Sequence, residues 1–162
     1  MPRRVRPKFP AEWHVPNDPA KYIAWSHADQ KLKKETVYWI STSSPDGKPH
    51  SAPVWGIWEN QTFYFETDPG SPKARNLVRN PRIVFHVQDG MDTVIVKGTV
   101  EREKNSRKLE TLIPKYVRKY KYKPDWADEK HQIVFRVKPS IAHAWKAPQM
   151  HRSLVNFIFE TK

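Results

Sequence analysis

Two hydrophobic rhythms, one of helical and one of strand period, alternate along the chain, and their order outlines the fold. In residues 20–35, AKYIAWSHADQKLKKE, Tyr22, Ile23, Trp25 and Ala28 fall toward one side and lysines crowd the end, which predicts a helix with a cation-rich C-terminus. From Thr36 to Thr67 β-branched and aromatic residues dominate. Turn residues interrupt them at Ser44-Pro45-Asp46-Gly47 and Glu59-Asn60-Gln61, so three strands joined by two hairpins are expected. In the second strand Ala52, Val54, Gly56 and Trp58 share one face and Pro53, Trp55 and Ile57 the other. Both faces are apolar, the pattern of a barrel wall covered on its outside. Pro49 and Pro53 bring no N–H to a ladder, which makes this strand an edge, a bulged strand or an interrupted one.

The segment GSPKARNLVRNPR, residues 70–82, predicts a helix over 71–80. Ser71 is suited to cap it, Pro72 fits its first position and Asn80-Pro81 stops it. Ala74, Leu77 and Val78 give it a narrow apolar stripe. RIVFHVQDGMDTVIVKGTVERE then predicts two strands around an Asp89-Gly90 turn. Val94, Val96 and Val100 alternate there with Ile95, Lys97 and Thr99, and Gly98 breaks the pattern as a bulge or a close backbone approach does. A second long helix is expected over 105–120, buried along Leu109, Leu112, Ile113 and Tyr116, with a kink or break at Pro114. QIVFRVKP, IAHAWK and SLVNFIFE supply two or three closing strands. The total is a mainly β chain of six to eight strands with three inserted helices (α+β), which an antiparallel barrel satisfies. Residues 1–20, rich in proline, read as an irregular arm anchored by Phe9 and Trp13, and residues 21–162 as one domain.

Composition narrows the chemistry more than the partner. A chain of 162 residues is long enough for one real core, and the lack of cysteine excludes disulfides, thiolate catalysis and Cys-based zinc sites. The opening MPRRVRPKFPAEW has charge without an apolar stretch behind it, and no run approaches a membrane span, so a cytoplasmic protein is expected. The net charge of +12 suits nucleic acid, anionic lipid or small polyanions. Its cations are split between the arm (Arg3, Arg4, Arg6, Lys8) and the helix over 105–120 with its exit, where solvation explains them equally well, so charge alone selects no partner.

The first turn of the helix at 71–80 carries Lys73 and Arg75 where the helix macrodipole disfavours cations. An anion reverses that sign: free N–H groups, the Ser71 hydroxyl and two cations form a cradle for phosphate or carboxylate, unless abundant surface cations fall there by chance. Other chemistry is sparse. The seven histidines stand apart, without metal-ligand spacing, and no metal site is expected. Gly-x-Ser-x-Gly is absent, and the best carboxylate pair, Asp89 and Asp92, flanks a turn. No side chain is assigned as catalytic; if the protein is an enzyme, a bound cofactor carries the difficult step.

The series PDGKPHSAPVW, FYFETDPGSPKARNLVRNPRIVFHV and DTVIVKGTVE resembles the FMN-binding split-barrel superfamily, the pyridoxamine 5'-phosphate oxidase-like proteins and their deazaflavin-dependent relatives, over about Thr36–Glu103. The resemblance implies a homodimeric split antiparallel β-barrel that holds FMN or coenzyme F-420 at the subunit interface. It implies an oxidoreductase moving a hydride between that ring and a small organic substrate. By the same resemblance the phosphate rests on Thr67, Ser71, Lys73, Arg75 and Asn76, the ring lies along Pro53, Val54 and Trp55, Arg82 is a further candidate for the anion, and His151 and Arg152 approach the partner's ring. Lys73 to Leu77, in the form Lys-x-Arg-Asn-Leu, looks more like the deazaflavin branch, and the C-terminal arginine and histidine set of the B6 oxidases has no clear counterpart, which leaves the cofactor undecided. Two alternatives stand beside this reading: a flavin or haem binding protein without turnover, and, less favoured, a basic barrel that stacks single-stranded nucleic acid on Trp39, Trp55, Trp58 and Tyr64.

Overall fold

The computed structural model describes residues 1–160. Its two longest strands, β7 (Asp92–Arg102) and β8 (Ile133–Lys146), pair along their length and shift register between Lys97 and Gly98. Gly98 faces Pro139 there, and a Cβ on Gly98 would stand 2.2 Å from the Lys138 carbonyl oxygen, so only glycine permits the approach. QIVFRVKP and IAHAWK therefore form one strand, the smaller of the two numbers of closing strands expected. Pro139, which has no N–H, sits where the ladder is already disrupted.

Around this hairpin lie β1 (Arg3–Val5), α1 (Trp25–Lys34), β2 (Tyr38–Ser43), β3 (Pro49–Val54), β4 (Gly56–Glu59), β5 (Thr62–Thr67), α2 (Pro72–Arg79), β6 (Arg82–Val87), α3 (Ser106–Tyr120), α4 (Met150–Ser153) and β9 (Val155–Ile158). All pairings are antiparallel. The far edge of β8 is divided: its first half pairs with β5 and its second with β9, which continues to β1. From β7 the order runs through β6 and β2 to β3. The chain then passes from β3 through Trp55 into β4, which pairs with β5 and so returns to β8. The interrupted second strand thus closes the barrel, pairing with β2 before Trp55 and with β5 after it.

The barrel is filled by aromatic rings. Phe63 lies 4.5 Å, centroid to centroid, from both Tyr38 and Phe85, and each such pair adds about 0.5–1.5 kcal/mol beyond area burial. Val94, Val96 and Val137 complete the interior, with Ala28 and Leu32 of α1 and Ala74 and Leu77 of α2 packed in. A second cluster lies outside the wall, where Leu112 and Tyr116 of α3 meet Ile57, Tyr64, Trp126 and Val134. This is the outer cover that two apolar faces on the second strand require.

The described residues hold nine strands where six to eight were expected, and four further expectations need correction. The arm is not wholly irregular, since Arg3–Val5 pair with β9 and the Arg6 guanidinium donates to the carbonyls of His151 and Leu154. α3 runs unbroken through Pro114, which is exposed, so the carbonyl it leaves unpaired faces water. Val78 is 75% exposed, the α2 stripe being Ala74 and Leu77 alone. The first helix begins at Trp25, with Tyr22 and Ile23 in the preceding segment, and a fourth helix of four residues, α4, was not foreseen.

Candidate functional site

β5 delivers Phe63, Phe65 and Thr67 to the barrel interior, and the chain then turns through Asp68-Pro69-Gly70 into α2. The turn is held by Asp68, whose carboxylate accepts from the Gly70 N–H at 2.6 Å and whose carbonyl accepts from the Ser71 N–H at 3.1 Å. Ser71 caps the helix as its sequence position predicts, accepting from the Ala74 N–H at 3.3 Å through its hydroxyl and from Arg75 N–H at 3.0 Å through its carbonyl. Pro72 has no N–H, which leaves that of Lys73 as the donor at the helix tip without a partner among the described residues. Thr67 and Ser71 share a hydroxyl hydrogen bond of 2.9 Å, in which one donates and the other keeps a free O–H. Two hydroxyls, one free amide and the Lys73 ammonium therefore converge at one helix end.

Thr67 and Lys73 line a cleft of about 550 Å³ together with Pro53, Val54 and Trp55, its walls completed by Val37, Tyr116, Glu66 and Asp68. Five of the eight expected cofactor-binding residues thus face one space, and Ser71 joins them through Thr67. The remaining two point elsewhere. Arg75 folds back to donate to the Gly70 carbonyl, and the Asn76 amide donates to Thr42 Oγ1 at 3.1 Å. The two acids are differently engaged: Glu66 accepts from the Tyr116 hydroxyl at 2.9 Å and from the Trp126 indole N–H, while exposed Asp68 opposes an incoming anion with its remaining charge. Burial and the adjoining Glu66 push the Tyr116 phenol far up, so it stays a donor.

The break at Trp55 is held by the C-terminal end of α3, a feature the sequence reading missed. Tyr120 Oη donates to the Gly56 carbonyl and accepts from the Gly56 N–H, both at 2.9 Å, and the Lys119 ammonium donates to the same carbonyl at 3.0 Å. A Cβ on Gly56 would stand 2.4 Å from the Phe63 ring and 2.6 Å from the Tyr64 carbonyl oxygen, so the clamp closes on the one residue that fits. Trp55 turns outward, 46% exposed, and stacks on Tyr120 at 4.7 Å with 5° between the rings. Burial brings the Lys119 amine down to about 8, against the attraction of Glu35, and raises Tyr120 to about 12.

Other candidates lie away from this cleft. Arg82 borders a separate groove with Ser41, Lys97 and Ser140, and His151 lies beside Trp13, Val15 and Met150. Arg152 follows His151 in α4 and is not among the residues lining the cleft. The four aromatics of the nucleic-acid alternative share no exposed face, since Trp58 and Tyr64 are buried. No group of three His, Asp or Glu side chains placed to hold a metal occurs among the described residues, and no helix there is long and apolar enough to cross a membrane.

A family model described as pyridoxamine 5'-phosphate oxidase matches residues 25–146. No curated protein matches the chain. Among solved structures, an F-420 reductase shares 24% identity over 70% of this chain and 94% of its own, with a TM-score of 0.56. A conserved hypothetical protein from Mycobacterium tuberculosis shares 21% over 83% and 89%, with a TM-score of 0.68. A heme binding protein from Mycobacterium smegmatis shares 14% over 82% of this chain and 57% of its own, with a TM-score of 0.66. At these identities the likeness is one of fold: a mostly antiparallel sheet with inserted helices, the split barrel. The family match runs from α1 through β8 and takes in both the α2 tip and the strand broken at Trp55, and the chain belongs to the pyridoxamine 5'-phosphate oxidase family.

Proposed function

We propose that this protein is an oxidoreductase that binds FMN or coenzyme F-420 and passes a hydride between that ring and a small organic substrate. The observation that carries the reading is the joining, in one cleft, of an anion cradle at the α2 tip with the apolar strip Pro53–Trp55. The donor set fits the tail of such a cofactor: the free Lys73 N–H, the hydroxyls of Thr67 and Ser71, and the Lys73 ammonium are all oxyanion donors. The cleft volume lies within the range of about 300–1,000 Å³ typical of small-molecule sites.

The bound ring supplies the hydride chemistry. The chain's part is to hold and to exclude. Lys73 and the α2 tip fix the phosphate. Pro53, Val54 and Trp55 flank the ring, and Trp55, held by its stack on Tyr120, stands at the lip where a second copy of the chain completes the site in a homodimer. Arg75 is released from Gly70 to join the anion, or remains on the turn; its single substitution separates the two.

Fluorescence titration of the purified protein with FMN and, separately, coenzyme F-420 tests the reading. A charge-assisted contact contributes about 1.5–3 kcal/mol, so Lys73→Ala weakens binding of the preferred cofactor by about 10- to 100-fold. Binding of neither cofactor, or affinity indifferent to Lys73→Ala, overturns it. In a single-turnover assay, reduced cofactor reoxidised by a substrate marks an enzyme, and a cofactor that stays reduced marks a carrier.

A further inference from the structure

On the other side of the Trp55 break lies a second cleft, of about 470 Å³, which the proposed cofactor does not use. Its floor is Ile57 and Trp58, and its rim carries Lys33, Lys115, Arg118 and Lys119. Two of these cations are matched: Lys115 pairs with Glu59 at 2.7 Å and Lys33 with Asp29 at 2.6 Å. Arg118 and Lys119 have no carboxylate partner among the described residues.

Lys119 is placed where its amine gives up a proton more readily than a surface lysine does. Its nitrogen has two acceptors, Tyr38 Oη at 2.9 Å and the Gly56 carbonyl at 3.0 Å. The Tyr38 hydroxyl gives its own hydrogen to the Leu32 carbonyl, so toward Lys119 it can only accept, and the Gly56 carbonyl also takes the Tyr120 hydroxyl. An uncharged amine has two hydrogens and one lone pair, so both hydrogens are satisfied and the lone pair is left on the remaining side of the nitrogen. Burial disfavours the charged form, and the attraction of Glu35 and the tyrosine faces of Tyr38 and Tyr120, 4.8 and 5.4 Å from the nitrogen, offset that only in part. A lysine desolvated in this way is a nucleophile near neutral pH.

We propose that Lys119 is a reactive amine that condenses with a carbonyl compound bearing an anionic group, an aldehyde acid or 2-oxo acid, seated over Ile57 and Trp58 with its anion on Arg118. The amine lone pair attacks the carbonyl carbon and the C–O π bond opens to an alkoxide, which takes one proton from the nitrogen to become a hydroxyl; that hydroxyl leaves with the second amine proton as water, and the C=N bond remains. One amine and one carbonyl give one imine and one water, with no change of oxidation state. The step needs no flavin, so it stands or falls apart from the oxidoreductase reading.

The test treats the whole protein near pH 7 with glyoxylate and cyanoborohydride, which reduces an imine to a stable secondary amine, and maps the modified lysines by mass spectrometry. An amine at about 8 is roughly a tenth unprotonated at that pH against well under a thousandth for an ordinary lysine. Allowing for its lower intrinsic nucleophilicity, labelling of Lys119 should exceed that of surface lysines by about tenfold or more. Propanal, a neutral aldehyde, should also label Lys119. Arg118→Gln, at an exposed position, should slow glyoxylate several-fold and leave propanal unchanged. Lys119 labelled no faster than its neighbours overturns the proposal, and so does an Arg118→Gln protein that reacts with glyoxylate at the wild-type rate. The first of these measurements is made on the wild-type chain and requires no variant to fold.

Discussion

Replacing Lys119 by Met removes the one strongly depressed amine in the described chain and changes how stability depends on pH. In the folded state burial brings this amine to about 8, whereas in the unfolded chain it titrates near the ordinary 10.5. Between those values the unfolded state binds more protons than the folded one, so the wild type gains stability as pH rises and carries the full penalty at pH 7. Each pH unit in the window contributes at most 1.36 kcal/mol, and from pH 8 to pH 10 the gain is up to about 2 kcal/mol, partial exposure reducing it. Above about pH 10 the raised phenols of Tyr38, Tyr116 and Tyr120 act with the opposite sign, which closes the useful window. Met leaves the Gly56 carbonyl its bond from Tyr120 and the Tyr38 hydroxyl its donation to Leu32; the acceptor side of Tyr38 loses its donor, a cost independent of pH across the window. Urea denaturation of both proteins at half-unit pH steps measures the difference. The stability of Lys119→Met relative to wild type should fall by up to about 2 kcal/mol between pH 8 and pH 10; parallel curves would mean that the amine is ordinarily solvated.

Other substitutions test separate parts of the account. Gly98→Ala drives a Cβ to 2.2 Å from a backbone oxygen and should destabilise by about 3 kcal/mol, read as a lowered denaturation midpoint with an unchanged slope. Ser71→Ala removes the α2 cap and the partner of Thr67, costing about 1 kcal/mol of stability and weakening any anion held at the helix tip. Glu66→Gln leaves Trp126 and Tyr116 with a neutral partner and should lower stability by about 1–2 kcal/mol, with tryptophan fluorescence reporting the change around Trp126.

Much of the barrel was readable because its signals are local. The Gly98 bulge, the Ser71 cap and the break in the strand containing Pro53 each follow from one residue's backbone chemistry. Whether the strand runs on through Pro139 was left open because proline normally ends a strand, and what settles it is Gly98, far away in the sequence on the neighbouring strand. Val78 is apolar yet exposed, since on a two-turn helix Ala74 and Leu77 already fill the contact with the barrel. The cleft was partly legible. Ser71 and Lys73 announce themselves through helix-tip chemistry and Thr67 through the family resemblance, while the outward turn of Arg75 onto Gly70 is set by local packing. Lys119 was hidden among the cations of α3. Its spacing of three residues from Tyr116, on the buried side of the helix, was the available clue.

The central claim is that the α2 tip grips the anionic tail of a redox cofactor. Its most direct test compares, by fluorescence titration, FMN with riboflavin, which has the same ring without the phosphate, and coenzyme F-420 with its phosphate-free deazaflavin in parallel. The account predicts that whichever ring binds does so at least tenfold more tightly with its phosphate, and that Lys73→Ala removes most of this difference. Equal affinity with and without the phosphate, or a difference that survives Lys73→Ala intact, would contradict it.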